Sequence, residues 1–101
     1  MKETTYTNLE KKLIEVLPLG GEHSMVASQI EKLTGISKRG LRRMKLPLAL
    51  KGVPIASSRQ HPQGYYIISN NLEKRRYIKS LWSQVNQMNL LITALEKTEV
   101  E

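Results

Sequence analysis

The feature that most constrains the fold of this chain is the stretch Thr34-Gly35-Ile36-Ser37. Its residues favour the end of one helix and the start of another within three residues. Gly35 can adopt a left-handed conformation without the steric penalty of a Cβ, so it favours a helix end. Ser37 suits the start of the next helix, because its hydroxyl can accept a bond from an otherwise unpaired N–H. The sequence therefore predicts two helices joined by a tight turn, with the second helix presented to solvent by the rest of the chain.

That second helix is short and strongly basic. Leu41 and Met44 share one face at a spacing of three, which gives the helix an apolar back. We expect the helix to cover residues 38–45, because Pro47 has no N–H and disfavours α geometry at Leu46. Its front carries five cations: Lys38, Arg39, Arg42, Arg43 and Lys45. This is the shape of a DNA-reading element, although a solvated basic face is the alternative interpretation.

The distribution of charge favours a polyanionic partner. The chain has 16 lysines and arginines against 9 acidic residues, a net charge of +7. Between Glu31 and Glu73 there is no acidic residue, whereas eight basic residues fall there (Lys32, Lys38, Arg39, Arg42, Arg43, Lys45, Lys51 and Arg59). A charge offset for solubility alone would not need this segregation, and a surface that meets a polyanion would.

Helical spacing predicts two helices ahead of the turn. Residues 5–17 form the first, with Glu10 largely outside and with one apolar side (Tyr6, Leu9, Leu13, Val16 and Leu17). Pro18 and the following glycine pair break it. Val26, Ile30 and Leu33 mark a second helix that starts between Ser24 and Ser28, and Ser28 with Glu31 is a candidate capping box.

Strand-like runs and one long helix complete the chain. The runs 53–59 and 65–68 flank a connection with proline and glycine, and they predict a β-hairpin. Asn70, with Glu73 three residues later, predicts the start of a helix that continues to about Thr98. The expected fold class is α+β and mainly α.

The order helix, helix, turn, basic helix, hairpin resembles the winged helix-turn-helix family, and the stretch from Ile30 to Arg43 is similar to its signature. The resemblance implies buried residues at Ile30, Leu33, Ile36 and Leu41, and wing strands at Gly52-Val53-Pro54-Ile55 and Gly64-Tyr65-Tyr66-Ile67. It implies a domain over residues 1–69, a separate helix over 70–101, and binding of double-stranded DNA as the usual activity. The organisation also resembles small proteins of Gram-positive prophages and mobile elements. Two departures are Gly40 inside the recognition helix and its early end at Pro47.

The expected DNA contacts lie on the basic helix and on the wing. An arginine inserted in the major groove can donate two hydrogen bonds to guanine, while lysines and hydroxyls hold phosphates. The candidates are Ser37, Lys38, Arg39, Arg42, Arg43 and Lys45 on the helix, and Arg59, Gln60 and His61 at the wing tip.

The last helix carries apolar residues that alternate spacings of three and four, the rhythm of a coiled coil. They are Ile78, Leu81, Val85, Met88, Ile92 and Leu95, with Trp82 and Leu91 widening the stripe. We expect this stripe to form a homodimer; the alternative is that it packs back on the first helix of the same chain. Nearby Lys74, Arg75, Arg76 and Lys79 either add phosphate contacts or are simply solvated.

Other classes of function find little support. There is no cysteine and no aspartate, and His23 and His61 lie far apart, so we expect no catalytic site, metal, cofactor or small-molecule ligand. No apolar run reaches the length of a membrane span and no signal peptide is evident, which predicts a cytoplasmic protein associated with the nucleoid when bound. The predicted function is a sequence-specific, dimeric transcriptional regulator. The alternative is a protein-interaction or assembly module, such as a replication-initiation accessory factor, that uses the same domain and the last helix.

Overall fold

The computed structural model describes residues 4–100 and has α+β architecture that is mainly helical. Three helices come first: α1 (Asn8–Val16), α2 (Ala27–Thr34) and α3 (Lys38–Leu50). The antiparallel strands β1 (Ile55–Ser58) and β2 (Gly64–Ile67) follow, and α4 (Asn71–Lys97) ends the described chain. The predicted order of helices, hairpin and long last helix is confirmed.

Local capping signals place the helix boundaries largely where the sequence indicates. Thr7 and Glu10 form a capping box at the start of α1, and Ser37 caps α3 by accepting a bond from the Gly40 N–H. Gly35 ends α2 with φ of 76°, in the left-handed region. Asn70 caps α4 through the Glu73 N–H at 2.9 Å. The Ser28–Glu31 capping box is not formed, because α2 begins two residues earlier than such a box requires and Val26 occupies the cap position.

The buried faces of α1 and α2 differ from those expected. Glu10 is only 5% exposed and lies on the core side of α1, whereas Leu9 is 52% exposed. The reason is a long-range ion pair: Lys51 Nζ lies 2.6 Å from Glu10 Oε1, so the carboxylate can face inward without being unpaired. Leu33 was expected to be buried but is 57% exposed, and Thr34 takes the inward position at the end of α2.

The prediction that Pro47 ends the basic helix is wrong, because α3 continues for five residues beyond Lys45. Pro47 lies on the exposed side, where only the hydrogen bond to the preceding turn is lost. The next residue, Leu48, is fully buried in the core and holds the following turn in place. The end of α3 is closed by the Lys51 N–H, which donates to the carbonyls of Pro47 and Leu48, and by the Val53 N–H, which donates to Leu48 at 2.8 Å. Tertiary packing therefore outweighs the local preference of proline.

Strand β2 is the centre of a small sheet, with β1 on one side and the α1–α2 connection on the other. Ile55 pairs with Ile67 and Ser58 with Gly64, which sets the register of the hairpin. On the other edge the Met25 and Tyr65 backbones exchange hydrogen bonds of 2.9 and 2.8 Å. The connection between the helices therefore acts as a third strand-like segment, which the sequence did not indicate.

One core lies between the three short helices and the hairpin. Four side chains in it are almost fully enclosed: Leu13, Ile30, Leu41 and Leu48. Ile36, Ile55 and Tyr65 extend this core from the turn and from the hairpin. Burying each such side chain contributes roughly 1.5–3 kcal/mol to folding. The core thus joins the turn before α3 to the strands that follow it.

The long helix α4 lies outside that core. Its first turn is fixed through Glu73 and its second through Tyr77, but every described residue after Tyr77 is exposed. The apolar stripe therefore does not pack back on α1, and that alternative is excluded. None of the described helices is long and apolar enough to cross a membrane.

We predict that Gly64→Ala lowers the free energy of unfolding by about 2–3 kcal/mol. Gly64 has φ of 141°, and a Cβ there would overlap the Met25 carbonyl and lie 2.9 Å from the Val26 nitrogen. Urea unfolding measures the loss. Gly52→Ala is the matched control, because Gly52 has φ of 91° with open space around it and should lose only about 1 kcal/mol. Equal losses in the two variants would contradict the close approach of β2 to Met25.

Candidate nucleic-acid interface

The first two turns of α3 present their basic side chains to solvent. Lys38, Arg39, Arg42 and Arg43 are all exposed. The Ser37 hydroxyl next to them already accepts the Gly40 N–H at 3.1 Å, and its O–H remains free to donate. A Cβ at Gly40 would lie 3.1 Å from Ile36 Cγ2. Close packing against Ile36 therefore explains the glycine at this position.

A broad open groove runs between α3, the tip of the hairpin and the first half of α4. Basic side chains from all three elements line it: Lys38 and Arg42 from α3, Arg59 from the hairpin and Arg76 from α4. Arg39 and Arg43 do not line this groove and point from the outer face of α3. The structure therefore divides the predicted contact residues between two adjoining surfaces.

Lys45 also lines this groove, but its ammonium group is already engaged by partners within the chain. Its Nζ donates to Ser57 Oγ at 2.8 Å and to the Tyr77 hydroxyl at 2.9 Å. It also lies 5.3 Å from the centre of the Tyr65 ring and 5.4 Å from that of Tyr77. Each contact of this kind stabilises a cation by about 0.5–2 kcal/mol. Lys45 thus joins α3, β1, β2 and α4, and we leave it out of the proposed contacts.

The tip of the hairpin is exposed and locally ordered. Arg59, Gln60 and His61 all reach solvent. The Ser58 hydroxyl accepts the Gln60 N–H at 3.2 Å and donates to the Gln60 carbonyl at 3.0 Å, which closes the turn. The three predicted tip residues therefore lie together on the rim of the groove.

Glu73 fixes α4 against the body of the protein. Its Oε2 accepts the Gly21 N–H at 2.8 Å, and its Oε1 accepts the Ser69 N–H and hydroxyl, each at 2.8 Å. Hydrogen bonding from the Gly21 and then the Ser69 backbone lowers the pKa of Glu73 below its ordinary value of 4.5. The carboxylate is thus held ionised and is already satisfied by donors from within the chain.

A second buried carboxylate supports the far end of α3. The Lys51 ammonium, followed by the Thr7 backbone N–H, lowers the pKa of Glu10 from its ordinary value. Lys51 also lies 5.8 Å from the centre of the Tyr6 ring. It therefore serves the packing of α1 against the end of α3, and not the basic surface to which the sequence assigned it.

None of the arginines has a carboxylate partner within residues 4–100. In that part of the chain the single ion pair is the one between Lys51 and Glu10. Of the two acidic residues that line the groove, Glu73 is occupied and Glu22 lies exposed on the rim. The positive potential of α3 and the hairpin tip is thus not neutralised from within the described chain.

The basic face of α3 does not extend to its C-terminal end. Leu46, Pro47, Ala49 and Leu50 are exposed there. Aliphatic side chains neither donate to phosphate nor form ion pairs with it, so this half of the helix is poorly suited to the DNA backbone. On α3, contact with a polyanion is therefore expected only from residues 37–43.

On α4 the predicted apolar stripe is continuous and exposed. The exposed fractions of its eight side chains run from 37% for Val85 to 62% for Trp82. No charged residue occurs between Lys79 and Glu96, so the stripe lies on a helix segment without net charge. An apolar surface of this length indicates an interaction site.

Sequence reasoning missed the residues that hold the groove together. Tyr77 and Tyr65, which contact Lys45, were not among the predicted site residues. Their partners are 12 or more residues away, which leaves no periodic signal. The alternation of tyrosines with basic residues was the one available hint, since aromatic rings and lysine stems pack well together.

Comparison of the chain with protein-family models, with curated proteins and with solved structures gives no match. Within residues 4–100, no three histidines and carboxylates cluster in a way that would hold a metal ion. The case for function therefore rests on the geometry and charge of the chain itself.

We predict that Glu73→Gln lowers the free energy of unfolding at pH 7 by about 0.5–1 kcal/mol, a modest value because solvent screens the carboxylate. Since the folded pKa lies below 4.5, this stabilisation is present above that pH and is lost as the pH falls through the folded pKa. The difference from the wild type should thus shrink toward pH 3 in urea titrations. Glu22→Gln, on the same groove, is the control that should have little effect at either pH. A difference independent of pH would contradict the role of the carboxylate.

Proposed function

We propose that the protein is a winged helix-turn-helix protein that binds double-stranded DNA in a sequence-specific manner as a dimeric transcriptional regulator. The observation that carries this proposal is the exposed group Lys38, Arg39, Arg42 and Arg43 at the start of α3, beside Arg59 on the hairpin. No described carboxylate pairs with these side chains. In this proposal α3 is the recognition helix and the β1–β2 hairpin is the wing.

The start of α3 suits the reading of base edges. Its first two turns project three arginines from a helix whose opposite face, at Leu41 and Leu48, is buried. A planar guanidinium can donate two hydrogen bonds to O6 and N7 of guanine in the major groove. Arg39 and Arg43, on the outermost face, are assigned to base edges, while Arg42 and Lys38, which face the groove beside the wing, are assigned to phosphates.

The wing and the base of α4 supply contacts that do not depend on sequence. Arg59, Gln60 and His61 line the groove together with Arg42 and with Arg76 from α4. Phosphate contacts fix the register of a protein on DNA and contribute most of the salt dependence. Because the basic part of α3 is only two turns long, these contacts supply much of the affinity.

The exposed stripe on α4 provides the dimer contact. A row of Ile, Leu, Val and Met side chains on a helix of 27 residues is costly to leave in water. Pairing two copies buries the row and gives one protein two recognition helices, which raises both affinity and specificity. The same stripe is the observation that favours the second candidate function, a protein-interaction module in which α4 holds a different partner.

We predict micromolar or tighter binding of a mixed-sequence duplex at low salt, with affinity that falls steeply as salt rises. Arg39→Ala with Arg42→Ala should weaken binding at least tenfold, because each lost contact costs about 1–3 kcal/mol. The measurement is fluorescence anisotropy of a labelled duplex at two salt concentrations. Lys11→Ala with Lys12→Ala is the control, since it removes the same charge from the exposed side of α1. Equal losses in the two double variants would refute the assignment of α3 and leave only bulk charge. Enrichment from a random duplex pool then reports the sequence preference.

A second prediction concerns the stripe. Val85→Asp should weaken self-association about a hundredfold or more, because it places an unpaired charge in the helix contact of both copies. Sedimentation equilibrium without DNA measures this change. Ser83→Asp is the matched control, because it adds the same residue two positions away on another face of α4 and should leave the dimer intact. A wild-type protein that stays monomeric at high concentration would remove the dimer from the proposal.

A further inference from the structure

We infer that the α4 helices of two copies pair antiparallel, with the basic start of one helix against the acidic end of the other. This inference rests on the proposed dimer and adds its orientation and register. Three observations carry it: the distribution of charge along α4, the order of its apolar residues, and the exposure of the whole stripe.

Charge is strongly polarised along α4. Lys74, Arg75, Arg76 and Lys79 lie in its first third and are exposed, while Glu73 beside them is occupied by Gly21 and Ser69. Glu96 lies at the other end and Glu99 just beyond it, with Lys97 between them. A parallel pair would bring two basic clusters within about 10 Å of each other. An antiparallel pair places opposite charges together and also opposes the two helix dipoles.

The apolar residues fix the register. In heptad notation Ile78, Val85 and Ile92 occupy position a, and Leu81, Met88 and Leu95 occupy position d. Antiparallel pairing that uses all six residues sets Ile78 against Leu95, Leu81 against Ile92 and Val85 against Met88 of the second copy. Each layer then combines a β-branched residue with an unbranched or γ-branched one, and the smallest side chain faces the flexible methionine. Sliding by one heptad in either direction loses layers.

The flanking positions distinguish the two orientations. In this antiparallel register the e positions of the two helices face each other, which brings Arg75 next to Glu96 of the second copy, twice per dimer by symmetry. In a parallel pair the e and g positions meet instead, and the facing residues are Tyr77 with Trp82, Gln84 with Asn89, and Leu91 with Glu96. No ion pair forms among them. Because β-branched a and leucine d positions also suit a parallel pair, the charges decide the orientation.

The orientation determines where the two DNA-binding domains lie. In this antiparallel register the two Asn71 residues are separated by about 31 residue positions, roughly 45 Å along the helix axes. In a parallel pair they would be about 10 Å apart. The antiparallel dimer thus carries one domain at each end of a two-helix rod.

Cysteine cross-linking tests the orientation directly, since the chain has no native cysteine. Ile78→Cys and Leu95→Cys are oxidised separately and as an equimolar mixture, after sedimentation has confirmed that each still forms dimers. A disulfide requires Cα atoms about 4.4–6.8 Å apart. We expect a cross-linked heterodimer in the mixture and little cross-linking of either variant alone. Cross-linking within each single variant would overturn the inference in favour of a parallel pair. Wild-type protein without any self-association would refute the proposed dimer itself.

A charge exchange tests the register should the cysteine variants dimerise poorly. Arg75→Glu and Glu96→Arg should each weaken the dimer about three- to tenfold, and the double variant should restore it, because two facing charge pairs are inverted and then re-formed. Sedimentation at low salt without DNA gives the dissociation constants. Additive losses in the double variant would overturn the proposed contact between residue 75 and residue 96.

Discussion

The enclosure of the Lys45 ammonium between Ser57, Tyr65 and Tyr77 is the interaction on which the arrangement of the groove depends. It joins the recognition helix candidate, both strands of the hairpin and the base of α4 at a single point. An ammonium group that loses contact with water needs hydrogen-bond acceptors or aromatic faces in its place. Lys45 has two hydroxyl acceptors and two aromatic rings around it. The groove is consequently held together by one of the cations that line it. The position of Arg42 relative to Arg59 and Arg76 follows from this internal contact.

Three helix boundaries could be predicted from the sequence because their causes are local. Gly35, Ser37 and Asn70 each act within three residues, and the structure places all three at helix boundaries as expected. The stripe on α4 could be predicted for the same reason, since the spacing of its apolar residues can be read directly from the sequence. Exposure of the arginines on α3 also followed from the helical wheel.

What could not be predicted depends on partners far apart in the chain. Glu10 faces inward because of Lys51, 41 residues later, and Lys45 turns inward because of Tyr77, 32 residues later. Pro47 stays within α3 because Leu48 is anchored in the core. In each case a tertiary contact outweighs a local preference. Neither the periodicity of the sequence nor residue propensity reflects such a contact. The candidate interface therefore changed in composition, with Lys45 engaged within the chain and Arg76 added, although its location on α3 and the hairpin did not.

The attachment of α4 through its first two turns alone makes it a lever. Contacts at Glu73 and Tyr77 set its angle, and the helix then extends for about 30 Å with its residues exposed. A rotation of about 10° at this base displaces Lys97 by about 5 Å, roughly half of the spacing between neighbouring helices. Small adjustments at Gly21, Ser69 or Lys45 are thereby converted into large changes at the far end. In the proposed dimer, the distance between the two domains would be set by hydrogen bonds that lie next to the basic groove.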